Sequence, residues 1–409
     1  MRLSVSVALL LAATLSFPAS SQAELRPDLL RALAVKNGLT PPTAELPETK
    51  SSQVGGKLFA SDLLSFNGDT SCQTCHLDAF SSADGLPVAI GVGGKGEGMS
   101  RLSSDGAVVP RNTLPLWGRG EPDFKLFFWD GKVDGRTGPI VSQFLENPPS
   151  DDLLTVAVHL PFVEIREMVV DTETVEQNLK AESVAAAEEV FKELIMRVRS
   201  DTELGQALAD AHDIAVDELH FIHVAQSVAA FIRHRFQRRE TPFQAFIFRN
   251  EPLPDDAVAG GLIFYGKGRC VLCHNGPHFS DFDFHAVAFP QASFGKNGFG
   301  VDYGRYNVTY DPADTYLFRT PPLTNVSNTG PYGHSGSLKS LEEAITAHFD
   351  PLRLFDVESL SDVERVELFK RLGRAAADPA LIPILSEEDV GRLVVFLSAL
   401  GFNDPMTID

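Results

Sequence analysis

The sequence carries one short pattern of metal-binding residue types twice. The order C-x-x-C-H occurs in "SCQTCHLDAF" and again in "GRCVLCHNGP", and its members are Cys72, Cys75 and His76 in the first copy and Cys270, Cys273 and His274 in the second. This order is the attachment site of c-type haem, in which the two thiols bond covalently to the porphyrin and the histidine ligates the iron. We therefore predict two covalently bound haem c groups, each with its histidine as the proximal iron ligand.

Two other uses of paired cysteines fit the pattern less well. A four-cysteine zinc site would have to unite pairs that lie 195 positions apart, counted from Cys75 to Cys270, and it would leave both histidines without a role. A redox dithiol needs no histidine after its second cysteine. All four cysteines of the chain belong to the two motifs, so none is left to form a structural disulfide.

The first 23 residues have the pattern of a secretory signal peptide. Arg2 gives a positive start, Val5 to Leu15 form an apolar run, and Ser21-Gln22-Ala23 is a small-residue cleavage site. An uncleaved membrane anchor is the alternative, but the apolar run is short for a span. The sequence predicts export to the periplasm without stable membrane insertion.

Length and charge narrow the class of protein and of partner. The 409 residues are enough for two or three modest domains. The formal net charge of −20 would repel phosphate backbones, so we expect no nucleic-acid partner. An acidic surface can steer a small cationic electron carrier, or it can serve solubility alone.

The pattern of elements is mainly helical. Apolar residues recur with helical spacing in residues 172–200, 215–236, 338–349 and 387–400 and in a segment that starts near Ala257, whereas residues 281–335 are rich in turn formers and strand alternation is rare. We predict a mainly α protein of two cytochrome c-type helical domains with long loops, each carrying one covalent haem. The predicted division is a signal peptide in residues 1–23, an N-terminal domain in 24–245 and a C-terminal domain in 246–409. Residues 24–50 are polar and Pro-rich, and we expect them to be a lead-in outside the core.

Several motifs in order resemble one family. The series "CQTCH … RNTLPLW … FFWDGKV … FVEIREM … CVLCHNGP … DYGR … FRTPPLTNVSNTGPYGHSGSLKSLEEAITAHFDP" is similar to the bacterial di-haem cytochrome c peroxidase superfamily, which includes the MauG-type enzymes. The resemblance covers nearly the whole mature chain. The "TGPYGHSG" and "HFDP" segments look most like the MauG-like branch related to MbnH.

The resemblance implies roles for individual residues. The N-terminal haem would meet hydrogen peroxide, and Glu167, in the "EM" motif, would be the acid–base group beside it. Trp129, in "FWDG", would lie between the haems and relay electrons or holes. His348, fourteen residues after His334, would be the distal ligand of the second haem.

The resemblance also implies a calcium ion between the domains. Its ligands would be the side chain of Asn112, from "RN", and the backbone carbonyls of Thr329 and Pro331, from "TGPYGH". Without that resemblance, Asn112 would be a plain turn residue.

The chain departs from the family at both irons. Many members have a histidine shortly after the first C-x-x-C-H that caps the N-terminal iron, but here no histidine occurs between His76 and His159. We therefore expect an open coordination position on the first haem, unless Met99, a thioether in the Gly-rich loop, ligates it. At the second haem, His348 stands where other members have methionine or tyrosine.

The segment "PFVEIREMVV" places Glu164 and Glu167 among apolar residues. Burial raises a carboxyl pKa towards neutrality, which suits a group that moves a proton between peroxide oxygens. The alternative is that both are surface charges, and we favour it for Glu164. The segment between Trp129 and Glu167 is longer than in typical members, which bears on whether Glu167 reaches the iron.

Other polar residues have plain alternatives. Arg305 and Arg319 would pair with haem propionates or stay solvated. His278 follows His274 by four residues and could compete with it as a ligand, but we expect it to be solvated in a loop.

The resulting functional hypothesis is a di-haem peroxidase that draws electrons from a small c-type cytochrome or copper protein, or that oxidises a side chain of a partner protein. The alternative is a non-enzymatic di-haem electron-transfer cytochrome.

Overall fold

Helices joined by long loops make up most of the chain. The computed structural model describes residues 25–144, 147–170, 173–180, 183–296, 298, 300–376 and 384–402, so the predicted signal peptide lies outside the described residues. The α-helices are Pro27–Lys36, Lys50–Ala60, Cys72–Cys75, Met99–Leu102, Leu153–His159, Glu173–Lys180, Val184–Ser200, Thr202–His212, Phe221–Arg235, Pro242–Phe248, Asp255–Tyr265, Tyr306–Thr309, Leu341–Ala347, Asp362–Ala375 and Glu387–Ser398. The mainly α prediction is confirmed.

Short antiparallel strands fasten the loops. They pair Ala89–Ile90 with Val108–Val109, Leu126–Phe127 with Val133–Asp134, Val133–Asp134 with Val141–Ser142, and Phe284–His285 with Phe318–Arg319. In the part of the chain that the structure describes, no helix is both long enough and apolar enough to cross a bilayer.

The first hydrophobic cluster lies between the helices of the N-terminal half. Helix Lys50–Ala60 packs on Phe221–Arg235, and Leu153–His159 and Val184–Ser200 close the cluster from other sides. Leu58 is among its fully buried side chains. Burying one such side chain stabilises the fold by about 1.5–3 kcal/mol, so this cluster holds the first haem motif in place.

The second cluster is built around helices Asp255–Tyr265 and Glu387–Ser398, and it includes a helix from the start of the chain. Helix Pro27–Lys36 packs on Asp255–Tyr265 through Leu30, which is fully buried. The prediction that residues 24–50 lie outside the core was therefore wrong for this helix. Its apolar residues recur three and four positions apart, which places them on one helical face.

The two clusters repeat one packing device. A Cβ atom on Gly55 would lie 1.9 Å from the Ser227 carbonyl oxygen, and one on Gly260 would lie 2.0 Å from the Arg392 carbonyl oxygen. In each case a glycine pair in one helix lets a second helix approach closely, just before a C-x-x-C-H motif. The same glycine contact therefore positions both motifs, which agrees with two related haem domains. The domain boundary near residue 245 stays a prediction.

Helix ends differ from the predicted ones where capping decides them. The predicted helix over 172–200 is two helices, and a further one, Thr202–His212, begins after Asp201, whose carboxylate accepts from the amides of Glu203 and Leu204. Helix Asp362–Ala375, which the sequence analysis did not predict, begins at a capping box of Ser361 and Glu364.

Candidate active site

The first haem motif is one helical turn followed by its histidine. Helix Cys72–Cys75 is capped by Ser71, whose amide nitrogen donates to the Thr74 hydroxyl at 3.0 Å. His76 Nδ1 lies 2.8 Å from the Ser82 carbonyl oxygen, so Nδ1 carries the proton and Nε2 presents its lone pair. Burial lowers the His76 pKa to about 4, which keeps the imidazole neutral, as a metal ligand must be.

A large cavity opens beside this motif and unites the predicted site residues of the N-terminal half. It encloses about 1360 Å³ of empty space, including its mouth. Its walls include the motif residues together with Trp129, Glu167 and Met168. A flat, mostly apolar macrocycle fits a space of this kind, so the residues present fit a haem attached at Cys72 and Cys75.

A tight turn aims Glu167 at this cavity. The Met168 amide donates to the Glu164 carbonyl at 3.1 Å, and the Arg166 amide donates to the Val169 carbonyl at 2.7 Å. Gly91 is needed beside the turn, because a Cβ atom there would lie 1.9 Å from the Arg166 carbonyl oxygen. The longer segment before Glu167 does not keep it from the cavity, since helix Leu153–His159 packs into the first cluster and brings the chain back.

Glu164 shares the cavity but has partners that Glu167 lacks. Lys132 Nζ lies 2.5 Å from Glu164 Oε2, and Lys296 Nζ lies 3.1 Å from Glu164 Oε1. Burial alone would raise the pKa of Glu164, but the two ammonium groups lower it to about 2. The expectation that Glu164 is an ordinary surface charge was wrong, because its carboxylate lines the cavity and pairs with two lysines. The sequence pattern around Glu164 could not predict this pairing, because both lysines come from distant parts of the chain.

Glu167 has the electrostatic setting of a proton carrier. Burial is the largest cause of its raised pKa, and the negative charge of Glu164 adds to it, whereas Lys132 and Lys296 act in the opposite direction. The resulting pKa is about 7. A carboxyl group with a pKa near neutrality can both accept and return a proton at physiological pH.

A chain of ion pairs extends this charge cluster across the two halves of the protein. Lys296 Nζ lies 4.0 Å from Asp130, Asp130 pairs with Arg111 at 2.5 Å, and Arg111 Nε lies 2.7 Å from Asp302. Burial opposes ionisation of Asp302, but Arg111 lowers its pKa to about 2. Removing one partner of such a buried network would leave an uncompensated charge, which is strongly destabilising. The network therefore holds these side chains in place along the cavity wall.

Trp129 lies where the cavity meets the C-terminal half. Its ring is buried, its Nε1 donates to the Asn112 carbonyl at 3.0 Å, and its own carbonyl accepts from the Arg319 amide at 2.9 Å. The tryptophan therefore contacts the first haem cavity and is tied to strand Phe318–Arg319 of the C-terminal half.

The second haem motif faces the predicted distal ligand. His274 Nδ1 lies 2.9 Å from the Phe279 carbonyl oxygen and His348 Nδ1 lies 2.7 Å from the Ala344 carbonyl oxygen, so both Nε2 atoms are left for a metal. The two ring centroids are 6.5 Å apart. Imidazoles that share one metal, each nitrogen about 2 Å from it, hold their centroids about 6 Å apart, so this pair fits a bis-histidine haem.

Two buried arginines provide a further test of the fit. Arg319 is 1% exposed, and one of its terminal nitrogens has no hydrogen-bond partner among the described residues. Arg119 lines the first cavity, and its Nε donates to the Pro115 carbonyl at 2.7 Å. Burial lowers the pKa of Arg119 to about 10, and burial together with Arg119 lowers that of Arg319 well below its usual range. Buried cations need anionic partners, and the carboxylates of two haems are suitable ones. Arg305 instead donates to the carbonyls of Asp130 and Gly131.

The predicted calcium ligands are only partly brought together. The side-chain amide of Asn112 lies 2.7 Å from the Pro331 carbonyl oxygen and 3.3 Å from the Gly333 carbonyl oxygen, with nitrogen assigned as the donor. The flipped amide would present Oδ1 beside the same carbonyls, an oxygen set that suits a hard cation. Thr329 shows its hydroxyl bonded to the Val326 carbonyl at 3.1 Å.

The structure corrects one further expectation, places Met99 away from the first cavity, and adds residues that the sequence did not suggest. His278 is 1% exposed and bonds Asp123 at 2.9 Å, so it is not a solvated loop residue. Met99 is 64% exposed and does not line the first cavity. Lys132 and Lys296 line it, and no local pattern marked them, although Lys132 directly follows the "FFWDG" motif.

Known proteins resemble this chain in sequence and in fold. Residues 49–252 match the family described as di-haem cytochrome c peroxidase. The chain is 28% identical to the methylamine utilization protein MauG of Methylorubrum extorquens, over 81% of this chain and 79% of that protein. It is 27% identical to cytochrome c551 peroxidase of Pseudomonas aeruginosa, over 86% of this chain and 79% of that protein. Among solved structures, a MauG-like protein associated with microbial copper homeostasis superposes with a TM-score of 0.60 at 22% identity, covering 88% of this chain and 93% of that one. The diheme peroxidase BthA of Burkholderia thailandensis gives a TM-score of 0.61 at 19% identity, covering 88% and 87%.

Proposed function

Because the chain belongs to the di-haem cytochrome c peroxidase family, we propose that it is an exported enzyme that uses hydrogen peroxide as its oxidant at the N-terminal haem. Cys72, Cys75 and His76 would hold that haem, and Cys270, Cys273, His274 and His348 would hold the second. When bound, the first haem supplies the iron at which the O–O bond of peroxide is broken.

The observation that carries this proposal is the position of Glu167 in the cavity of the first haem motif, with a pKa of about 7. Its ionised carboxylate takes the proton from one peroxide oxygen and returns it to the other, which leaves as water. Glu164 cannot share this task, because Lys132 and Lys296 keep it ionised.

The second haem would store an oxidising equivalent. Two histidine ligands in place of a methionine favour a low potential and therefore an oxidised state. Trp129 would relay holes between the two sites, and its position supports this, since it lines the first cavity and its carbonyl accepts from the Arg319 amide of strand Phe318–Arg319. An indole ring can carry a hole between groups that do not touch.

The oxidising equivalents would be consumed by a protein. The net charge of −20 favours a small cationic donor such as a c-type cytochrome or a copper protein, and oxidation of a partner's side chain is the other use. The proposed location is the periplasm, and a calcium ion at Asn112, Thr329 and Pro331 is part of the proposal.

Peroxide mixed with the fully ferric holoprotein in a stopped-flow spectrometer tests this function. We expect the spectra of both haems to change without prior reduction, because no histidine occurs between His76 and His159 to cap the first iron. A non-enzymatic electron-transfer cytochrome would show no response above that of a buffer control, in either the ferric or the half-reduced state, and that outcome would overturn the proposal.

A further inference from the structure

The tyrosines of this protein are concentrated at one place. Four of its six tyrosines, Tyr303, Tyr306, Tyr310 and Tyr316, lie within fourteen consecutive positions. Their rings form a connected series, with centroid distances of 5.8 Å from Tyr316 to Tyr303, 5.9 Å from Tyr303 to Tyr306 and 6.1 Å from Tyr306 to Tyr310. We call this series the tyrosine ladder.

The inner end of the ladder is a buried phenol with a proton acceptor. Tyr316 is 9% exposed, and its hydroxyl donates to Glu367 Oε2 at 2.5 Å. Glu367 also pairs with Lys370 at 2.6 Å, which favours its ionised form. Tyr316 has a φ of 65°, an uncommon conformation for a bulky residue, and strain of this kind persists only where the surrounding structure fixes it.

This inner end is connected to the second haem site. Glu367, which accepts the Tyr316 hydroxyl, lies one turn before Arg371 on helix Asp362–Ala375, and the Arg371 side chain donates to the Phe289 carbonyl at 2.7 Å. The Phe289 ring packs edge-on against the His348 ring, with centroids 5.5 Å apart. Glu367, Arg371 and Phe289 therefore connect the phenol to the proposed distal ligand.

The outer end of the ladder reaches the surface. Tyr310 is 63% exposed, and Tyr303 and Tyr306 line an open cleft with Lys370 and Arg374. The same cleft reaches Tyr316, of which only 9% is exposed. A phenol differs from phenylalanine in that it can lose an electron and a proton together.

We propose that the tyrosine ladder carries one oxidising equivalent from the second haem site to the surface at Tyr310, with Tyr316 as its first redox-active residue. The proposal rests on the proposed peroxidase function, because peroxide is the oxidant. Tyr316 would return to the second haem site the electron that peroxide has withdrawn from it, and would give its phenolic proton to the Glu367 carboxylate. Tyr303, Tyr306 and Tyr310 then pass the hole outwards by successive one-electron oxidation, each releasing its phenolic proton to the solvent of the open cleft. Tyr316 regains its electron from Tyr303 and its proton from Glu367, and Tyr303 and Tyr306 in turn regain an electron from the next tyrosine and a proton from solvent. The final donor is a reductant or a partner side chain at Tyr310.

The test treats ferric holoprotein with peroxide in the presence of a nitroso spin trap and maps the adducts by peptide mass spectrometry, with haem absorbance recorded in parallel. We expect an adduct on Tyr310 in the wild-type protein. We expect its loss in Tyr316→Phe, which keeps the ring but has no phenol, and in Glu367→Gln, which keeps a hydrogen-bond acceptor but not a carboxylate. Tyr332→Phe is the matched control, because Tyr332 bonds only a backbone carbonyl in the structure and lies outside the ladder.

Each outcome decides the proposal. If the haems respond to peroxide and the Tyr310 adduct is equally abundant in all variants, Tyr310 is oxidised from outside the protein. This outcome would overturn the proposal that the tyrosine ladder carries the oxidising equivalent. A wild-type protein whose haems respond but whose ladder carries no adduct would overturn it as well, and would leave the proposed function intact. Haems that do not respond to peroxide would overturn both proposals.

Discussion

Lys296 Nζ lies 3.1 Å from Glu164 Oε1, so a loop of the C-terminal half supplies part of the charge balance of the first haem cavity. The pair divides the two carboxylates of "PFVEIREMVV" between different tasks. Glu164 is held ionised by ammonium groups, and Glu167, on the same turn but without such a partner, keeps a pKa near neutrality.

Glu164→Gln should lower the pKa of Glu167 below about 7, because it removes a negative charge that raises it and leaves Lys132 and Lys296 to act alone. The ionised form of Glu167 is the one that accepts the peroxide proton, so the acidic limb of the rate of haem oxidation should move to lower pH. Stopped-flow rates measured across pH would show this. The control is Glu203→Gln, at an exposed carboxylate. If the acidic limb lies at the same pH in both variants, the charge of Glu164 does not raise the pKa of Glu167.

Glu167→Gln keeps the shape of the side chain but removes the proton carrier. General acid–base groups typically contribute about 10²–10⁴-fold, so peroxide should oxidise the haems more slowly by a factor in that range. The pH limb near neutrality should also disappear from the stopped-flow profile. A rate equal to that of the wild-type protein would remove Glu167 from the mechanism.

Trp129→Phe should leave the peroxide response of the first haem intact and slow that of the second. Phenylalanine fills most of the same space, but it is much harder to oxidise than an indole. Stopped-flow absorbance of both haems is the measurement. The matched control is Trp117→Phe, because Trp117 is buried but lies outside the cavity, where it packs against Phe236 and Phe402. Equal effects of the two changes would rule out a relay.

His348→Ala should convert the second haem from low spin to high spin, because it removes one of two strong nitrogen ligands. Electron paramagnetic resonance of the ferric protein should show one high-spin and one low-spin haem before the change and two high-spin haems after it. His234→Ala, at a half-buried histidine that bonds the Leu46 carbonyl and belongs to neither haem site, should change neither signal. A low-spin signal that survives in His348→Ala would mean that another group ligates this iron.

The same spectrum tests whether the first haem is open. Two low-spin haems in the wild-type protein would show that a protein group caps the first iron. Met168 and Lys132, which line the cavity, would then be the candidates to substitute, rather than the exposed Met99.

Calcium removal should slow electron exchange between the haems, because Asn112 both faces the Pro331 carbonyl and accepts the Trp129 indole N–H. We expect a chelator to slow the response of the second haem to peroxide, and added calcium, but not magnesium, to restore it. Calorimetry should show calcium binding to the depleted wild-type protein and its loss in Asn112→Ala. If the depleted wild-type protein binds no calcium, the site is wrong.

The spacing of residues along the sequence was enough to predict the chemistry that depends only on neighbouring residues. The C-x-x-C-H order places two thiols and an imidazole within one helical turn and the residue that follows it, so the two haem sites could be predicted from the sequence alone. The helical class could be predicted for the same reason, because apolar periodicity is a property of one segment. The placement of Glu167, Trp129 and His348 was predicted from family resemblance, and the structure brings Glu167 and Trp129 to one cavity and His348 opposite His274. Their roles remain predictions.

Tertiary structure alone decided the contacts between distant segments. Lys296 reaches Glu164 across 132 positions of sequence, and helix Pro27–Lys36 packs against Asp255–Tyr265 instead of leading into the N-terminal cluster. His278, expected in solvent, is buried against Asp123. Each of these contacts depends on the path of the whole chain, and the free energy of such a pair depends on the burial that the path creates. Residue types and their spacing along the sequence determine neither the path of the folded chain nor the burial of such a pair.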